Sequence, residues 1–117
     1  MSNLVKNVTE FDTKVYKISG PLGKNFMLKQ SEGKIEIGQL LSYDAESGKL
    51  VKYTKTEKPA FTIALSEADS TSGDVPVLVA VPGTVFNSAE IKGATLTDDF
   101  NVVKELWGNG ITLEEVK

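Results

Sequence analysis

The chain contains no cysteine, no histidine and no arginine. Without cysteine there is no disulfide framework and no thiolate metal site; without histidine the commonest metal ligand and general base are missing. All 13 basic residues are lysine, so the planar fork that grips phosphate or carboxylate is absent, and a net charge of -3 gives no electrostatic footprint for nucleic acid. No apolar run approaches the ~18 residues that would cross a bilayer, and the N-terminal Met1-Ser2-Asn3-Leu4-Val5-Lys6 lacks the apolar stretch of a signal peptide. These absences weigh against an enzyme, a nucleic-acid binder and a membrane protein. They set the expectation of a chain made in the cytoplasm, with no catalytic residues, no metal and no cofactor.

What is present suits one folded domain. A chain of 117 residues, 40% hydrophobic and 25% charged, has apolar positions spread along its whole length, and a chain of this size buries roughly 65% of its unfolded surface in one core. The first 18 residues read as an extended arm and residues 19–117 as a single β-rich body. The arm carries Leu4, Val5, Val8, Phe11, Val15, Tyr16 and Ile18 without a clean helical period. Each such side chain contributes about 1.5–3 kcal/mol if fully buried, while ordering some fifteen residues costs about 1–2 kcal/mol apiece. The arm is therefore expected to need a partner to order it.

Ser19-Gly20-Pro21-Leu22-Gly23-Lys24-Asn25 concentrates turn residues and separates arm from body. Phe26–Leu28 and Lys34–Ile37 are short strand candidates, with a turn at Glu32-Gly33. Gln39–Tyr43 and Leu50–Thr54 flank Asp44-Ala45-Glu46-Ser47-Gly48-Lys49, whose Asp, Ser and Gly predict a hairpin. In Ala60–Leu65 the large residues Phe61, Ile63 and Leu65 alternate with small ones and are expected to point into the core. Val75–Val81 is the most apolar strand, and Pro76 and Pro82 assign it to an edge or a barrel rim. Gly83–Phe86 extends it.

One helix is predicted over Asp98–Trp107, with Thr97 as N-cap, acids in the first turn and Gly108 as the left-handed C-terminal cap. Phe100, Val103, Leu106 and Trp107 form its expected core-facing stripe. Ile111–Leu113 reads as a closing strand. The fold class is thus mainly β: a small barrel or sandwich with one short C-terminal helix and an N-terminal arm.

The residues that could carry chemistry do not assemble into a motif. Asp98 and Asp99 are neighbours that point to different sides of a helix, and helix starts favour carboxylates in any case. Glu67–Asp74 is rich in oxygen ligands, but the glycine and glutamate of a calcium loop are replaced by Asp74 and Ala80 at the required spacing, so a solvated turn is expected. Gly20–Asn25 is too short between its glycines for a phosphate loop and has Asn25 where Ser or Thr is needed.

From Gly38 to Val116 the order of features resembles the small head decoration proteins of tailed phages. The carrying residues are Gln39-Leu40-Leu41-Ser42-Tyr43-Asp44 with Gly48-Lys49-Leu50-Val51-Lys52-Tyr53, then Phe61-Thr62-Ile63-Ala64-Leu65-Ser66, then Val77 to Phe86 with Pro82-Gly83-Thr84-Val85-Phe86, then a helix before a short final strand. The resemblance implies a homotrimer on the outer surface of the expanded capsid, a structural role in the virion, and an arm that reaches the major capsid protein. On that reading Leu4, Val5, Val8, Phe11, Val15 and Tyr16 are the capsid-facing side chains. The alternative is a β-barrel module that binds carbohydrate or peptide.

Overall fold

The computed structural model describes residues 15–55, 57–96, 99 and 101–115. Among them are ten short strands, one 3-10 turn and one α-helix, in a mainly β architecture. The order is β1 (Lys17–Ser19), β2 (Lys24–Leu28), β3 (Lys34–Ile35), β4 (Leu40–Asp44), β5 (Lys49–Lys52), β6 (Thr62–Ile63), β7 (Ala68–Asp69), β8 (Val75–Val79), β9 (Val85–Asn87), α1 (Asn101–Gly108) and β10 (Thr112–Glu114).

Five strands form one sheet in the order β6-β4-β5-β2-β8. The expected hairpin is its centre: β4 and β5 pair antiparallel with Tyr43 opposite Leu50, and the Gly48 N–H closes the turn on the Asp44 carbonyl at 2.8 Å. The sheet curls until its outer strands meet, with Ala64 bridging Val79 and the Leu65 N–H donating to the Leu78 carbonyl at 2.7 Å. β8 has only β2 as a full-length neighbour, so the Pro76 nitrogen removes no ladder bond, as its expected edge position requires. Three pairings could not be anticipated locally: β2 runs parallel to β5 and antiparallel to β8, and β3 pairs with β7 rather than with β2.

Alternating residues of β4 and β6 serve two cores. Leu41 and Ala64 face Leu28, Leu50, Val77 and Val79 in the interior of the curled sheet. Leu40 and Ile63 face a second cluster with Tyr53, Ala60, Phe86, Val102, Leu106 and Ile111. That cluster lies against a three-stranded sheet, β1-β9-β10, and the helix. Because both faces of the segment are covered, Thr62 and Ala64 are as buried as Ile63, whereas Phe61 and Leu65 are only half-buried. The expected division into a core face and a small-residue face therefore does not hold.

The helix needs further corrections. Val102 and Leu106 are its buried residues; Val103 and Trp107, placed on the core stripe from the sequence, face outward. Both pairs have i, i+4 spacing, so either could have formed the inner seam. Gly108 belongs to the helix, and the left-handed residue is Gly110, at φ +83°. There the Gly110 N–H donates to the Trp107 carbonyl and the Ile111 N–H to the Leu106 carbonyl, both at 2.9 Å. This is a Schellman ending, and Leu106 and Ile111 supply its hydrophobic contact. A Cβ on Gly110 would lie 2.7 Å from the Pro82 Cβ, so glycine is needed for space as well as for φ. Thr97, Asp98 and Phe100 lie outside the described residues.

Candidate functional site

Two surfaces stand out: the point where the N-terminal segment joins the body, and an aromatic groove. At the junction β1 pairs antiparallel with β9, Lys17 opposite Phe86 and Ser19 opposite Val85, with an irregularity at Ile18. β1 thus crosses the boundary drawn from the sequence between residues 18 and 19. It is the edge of its sheet, so its outer backbone groups face no further strand among the described residues, a geometry that accepts an added strand.

Immediately before β1, Asn87 holds the chain twice. Its Nδ2 donates to the Val15 carbonyl and its backbone N–H to the Tyr16 carbonyl, each at 2.7 Å. The same side chain accepts from the Ala89 N–H at 3.0 Å, capping the turn Ser88–Glu90. The Tyr16 ring packs on Phe86 at 6.5 Å between centroids, and Lys92 Nζ lies 5.8 Å from the Tyr16 ring. Val15 and Ile18 are exposed, and Leu22 in the following loop is 85% exposed. Of the expected capsid-facing residues, Val15 therefore presents its side chain outward and Tyr16 lies half-buried against the second core. Leu4, Val5, Val8 and Phe11 lie outside the described residues.

The groove is built around Phe61. Its ring meets Phe26 edge-on at 6.1 Å and Tyr43 at 5.5 Å, while Lys24 Nζ lies 5.6 Å from the Phe26 ring. On one side of Phe61 a depression of about 550 Å³ is walled by Phe26, Val81, Pro82 and Gly110. On the other, one of about 400 Å³ is walled by Tyr43, Pro59 and Glu105. Phe61 and Asn109 border both. The Asn109 Nδ2 donates to the Phe61 carbonyl at 3.2 Å, tying the loop after the helix to this strip. Nothing in the spacing of Phe26, Tyr43 and Phe61 announces the groove, because closure of the sheet brings them together.

Several charged groups are occupied in structural roles. Asp44 accepts from Ser47 Oγ at 2.8 Å and pairs with Lys29 at 3.2 Å, and these contacts hold its carboxyl below the usual value. Asp74 accepts from Lys49 Nζ at 2.5 Å and from the Gln30 N–H at 2.8 Å, with the same effect. The acidic stretch Glu67–Asp74 is not wholly a solvated turn: Ala68–Asp69 is strand β7, and Ser70 is buried, its Oγ accepting from the Glu32 N–H at 3.1 Å. Asp69 turns its carboxylate onto the Thr71 N–H and hydroxyl. Among the described residues there is no group of three or more potential ligands that could hold a metal ion. No helix of the described residues is long and apolar enough to cross a membrane.

In the second core the Tyr53 hydroxyl donates to Asp99 Oδ2, and the Ala60 N–H donates to Glu105 Oε1 at 2.8 Å. Burial, with the Asp99 carboxylate alongside, pushes the Tyr53 phenol far above its ordinary value. Both contacts fasten the helical segment to the chain between β5 and β6. Comparison with protein-family models and with curated proteins finds no match to this chain.

Proposed function

We propose that the chain is a non-enzymatic structural protein of the virion: a tailed-phage head decoration protein that binds the outer surface of the expanded capsid as a homotrimer and stabilises it. Its partner is the major capsid protein, and its N-terminal segment is the clamp. The observation that carries this reading is the junction at β1. A segment carrying the apolar residues Leu4, Val5, Val8 and Phe11 is joined to the body through an edge strand whose start is pinned by Asn87. A strand from the shell added beside this segment gains about 0.5–1.5 kcal/mol net per backbone hydrogen bond. Three such segments on one trimer multiply weak contacts into durable attachment. Preference for the expanded shell follows if expansion creates the accepting surface, since a ligand stabilises the state it binds. The order of sequence features from Gly38 to Val116 supports the same reading.

Cryo-electron microscopy of expanded shells incubated with the protein tests it. Density for the body at the three-fold positions, continued by a strand lying on the capsid protein, is the expected result. Bare shells at saturating protein would reject it. The second reading, a module for carbohydrate or peptide, is favoured by the aromatic groove and by the exposure of Trp107. It predicts a ligand-dependent change in Trp107 fluorescence that survives removal of residues 1–14.

A further inference from the structure

We infer that the groove around Phe61 receives residues Glu10-Phe11-Asp12 of a second copy of this chain, with Phe11 seated against the aromatic strip and its acidic neighbours beside Lys24. The groove offers an apolar floor from Phe26 and Phe61, an exposed Tyr43 and two proline walls, Pro59 and Pro82. Contiguous apolar surface of this kind, rimmed by polar groups, marks a contact site. The depression of about 550 Å³ admits a phenylalanine side chain, and its continuation past Phe61 leaves room for the extended residues on either side.

The occupant follows from chemistry and from chain geometry. Phe11 is the one aromatic residue before Tyr16, and it stands between Glu10 and Asp12. Lys24, exposed and directed over the Phe26 ring, puts a positive charge where those acids would lie. The chain's own Phe11 is badly placed to enter. Moving upstream from Ser19 to Val15 carries the backbone along β9 from Val85 to Asn87, away from Pro82 and Gly110, which wall the groove. Phe11 precedes Val15 by four residues, a reach of at most about 14 Å. To come back it would have to reverse direction within the three residues Asp12-Thr13-Lys14. A neighbouring copy needs no reversal. Each copy then both donates and accepts, a head-to-tail contact that closes into a ring where the rotation between copies allows it, and Leu4, Val5 and Val8 remain beyond the contact for another partner.

This inference takes Phe11 out of the capsid-facing set and gives it to a neighbouring copy, and it is tested without shells. The absence of native cysteine makes the test clean: a Phe11→Cys chain and an Asn109→Cys chain are mixed, oxidised and compared with each variant oxidised alone. A mixed disulfide at twice the chain mass, well above either homodimer, is expected. A chain carrying both cysteines is expected to give multimers. Closure of that double variant as a single-mass species would place the segment in its own groove and overturn the inference, as would the absence of any mixed disulfide. Sedimentation velocity gives the second readout, with Phe11→Asp expected to lower self-association at least tenfold. Lys24→Glu should weaken it and a Glu10→Lys partner should restore it. Association unchanged by Phe11→Asp, or a chain that is monomeric at all concentrations, would also overturn it.

Discussion

The Asn87 side-chain amide donates to the carbonyl oxygen of Val15 at 2.7 Å and so fixes where the N-terminal segment leaves the body. One buried side chain thereby couples that exit to the 3-10 turn it also caps. Asn87→Asp keeps the acceptor for Ala89 but sets a carboxylate against the Val15 carbonyl, so it should loosen β1 while preserving the turn. Hydrogen exchange should accelerate in residues 15–19 and stay unchanged in β4 and β5. Asn87→Ala removes both contacts and should cost about 1–3 kcal/mol in denaturant unfolding.

The helical segment is held by polar contacts as well as by Val102 and Leu106. Asp99 is only 4% exposed, and the Tyr53 hydroxyl is its hydrogen-bond donor. Tyr53→Phe leaves that carboxylate without this donor and should cost about 2–3 kcal/mol, while shape and apolar packing are kept. Equilibrium unfolding in urea measures it. The raised Tyr53 pKa has a definite sign: its stabilisation is full below the unfolded phenol value of about 10 and is lost progressively as pH rises from there through the higher folded value.

At the other extreme of pH the carboxylates act. Asp44, Asp69 and Asp74 all titrate below 3.8, each held down by its hydrogen-bond partners. A group depressed in the folded state adds stability above its unfolded value and loses it as pH falls through the folded one. The urea midpoint should therefore drop as pH falls below the ordinary carboxylate range, and Asp44→Asn should flatten that fall.

Trp107 and Leu106 are adjacent in the chain and opposite in environment, 71% and 0% exposed. Trp107→Ala should change stability by less than about 0.5 kcal/mol, whereas Leu106→Ala should cost about 2–5 kcal/mol. The fluorescence of the free protein should be that of a solvated indole and be readily quenched by iodide.

The contrast at the helix shows how far local reasoning reaches. The β4–β5 hairpin was legible because alternation and a turn rich in Asp, Ser and Gly act over a few residues, and the edge position of β8 was legible because proline nitrogens cannot donate. The helix stripe was not: Val102/Leu106 and Val103/Trp107 have the same spacing, and only packing on Phe86 and Ile111 selects between them. Likewise the parallel pairing of β2 with β5, the Tyr53 link to Asp99 and the meeting of Phe26, Phe61 and Tyr43 depend on contacts between distant parts of the chain. The apolar residues of the N-terminal segment could be picked out from the sequence, whereas Asn87, which anchors that segment, carried no local signal.

The most direct measurement of the proposed function is co-sedimentation of the full chain, and of a chain lacking residues 1–14, with expanded and unexpanded tailed-phage capsid shells. The account predicts saturable binding of the full chain to expanded shells alone, lost on truncation while the unfolding midpoint of the body is retained. Equal binding of the truncated chain, or no binding of the full chain to either shell, would contradict it.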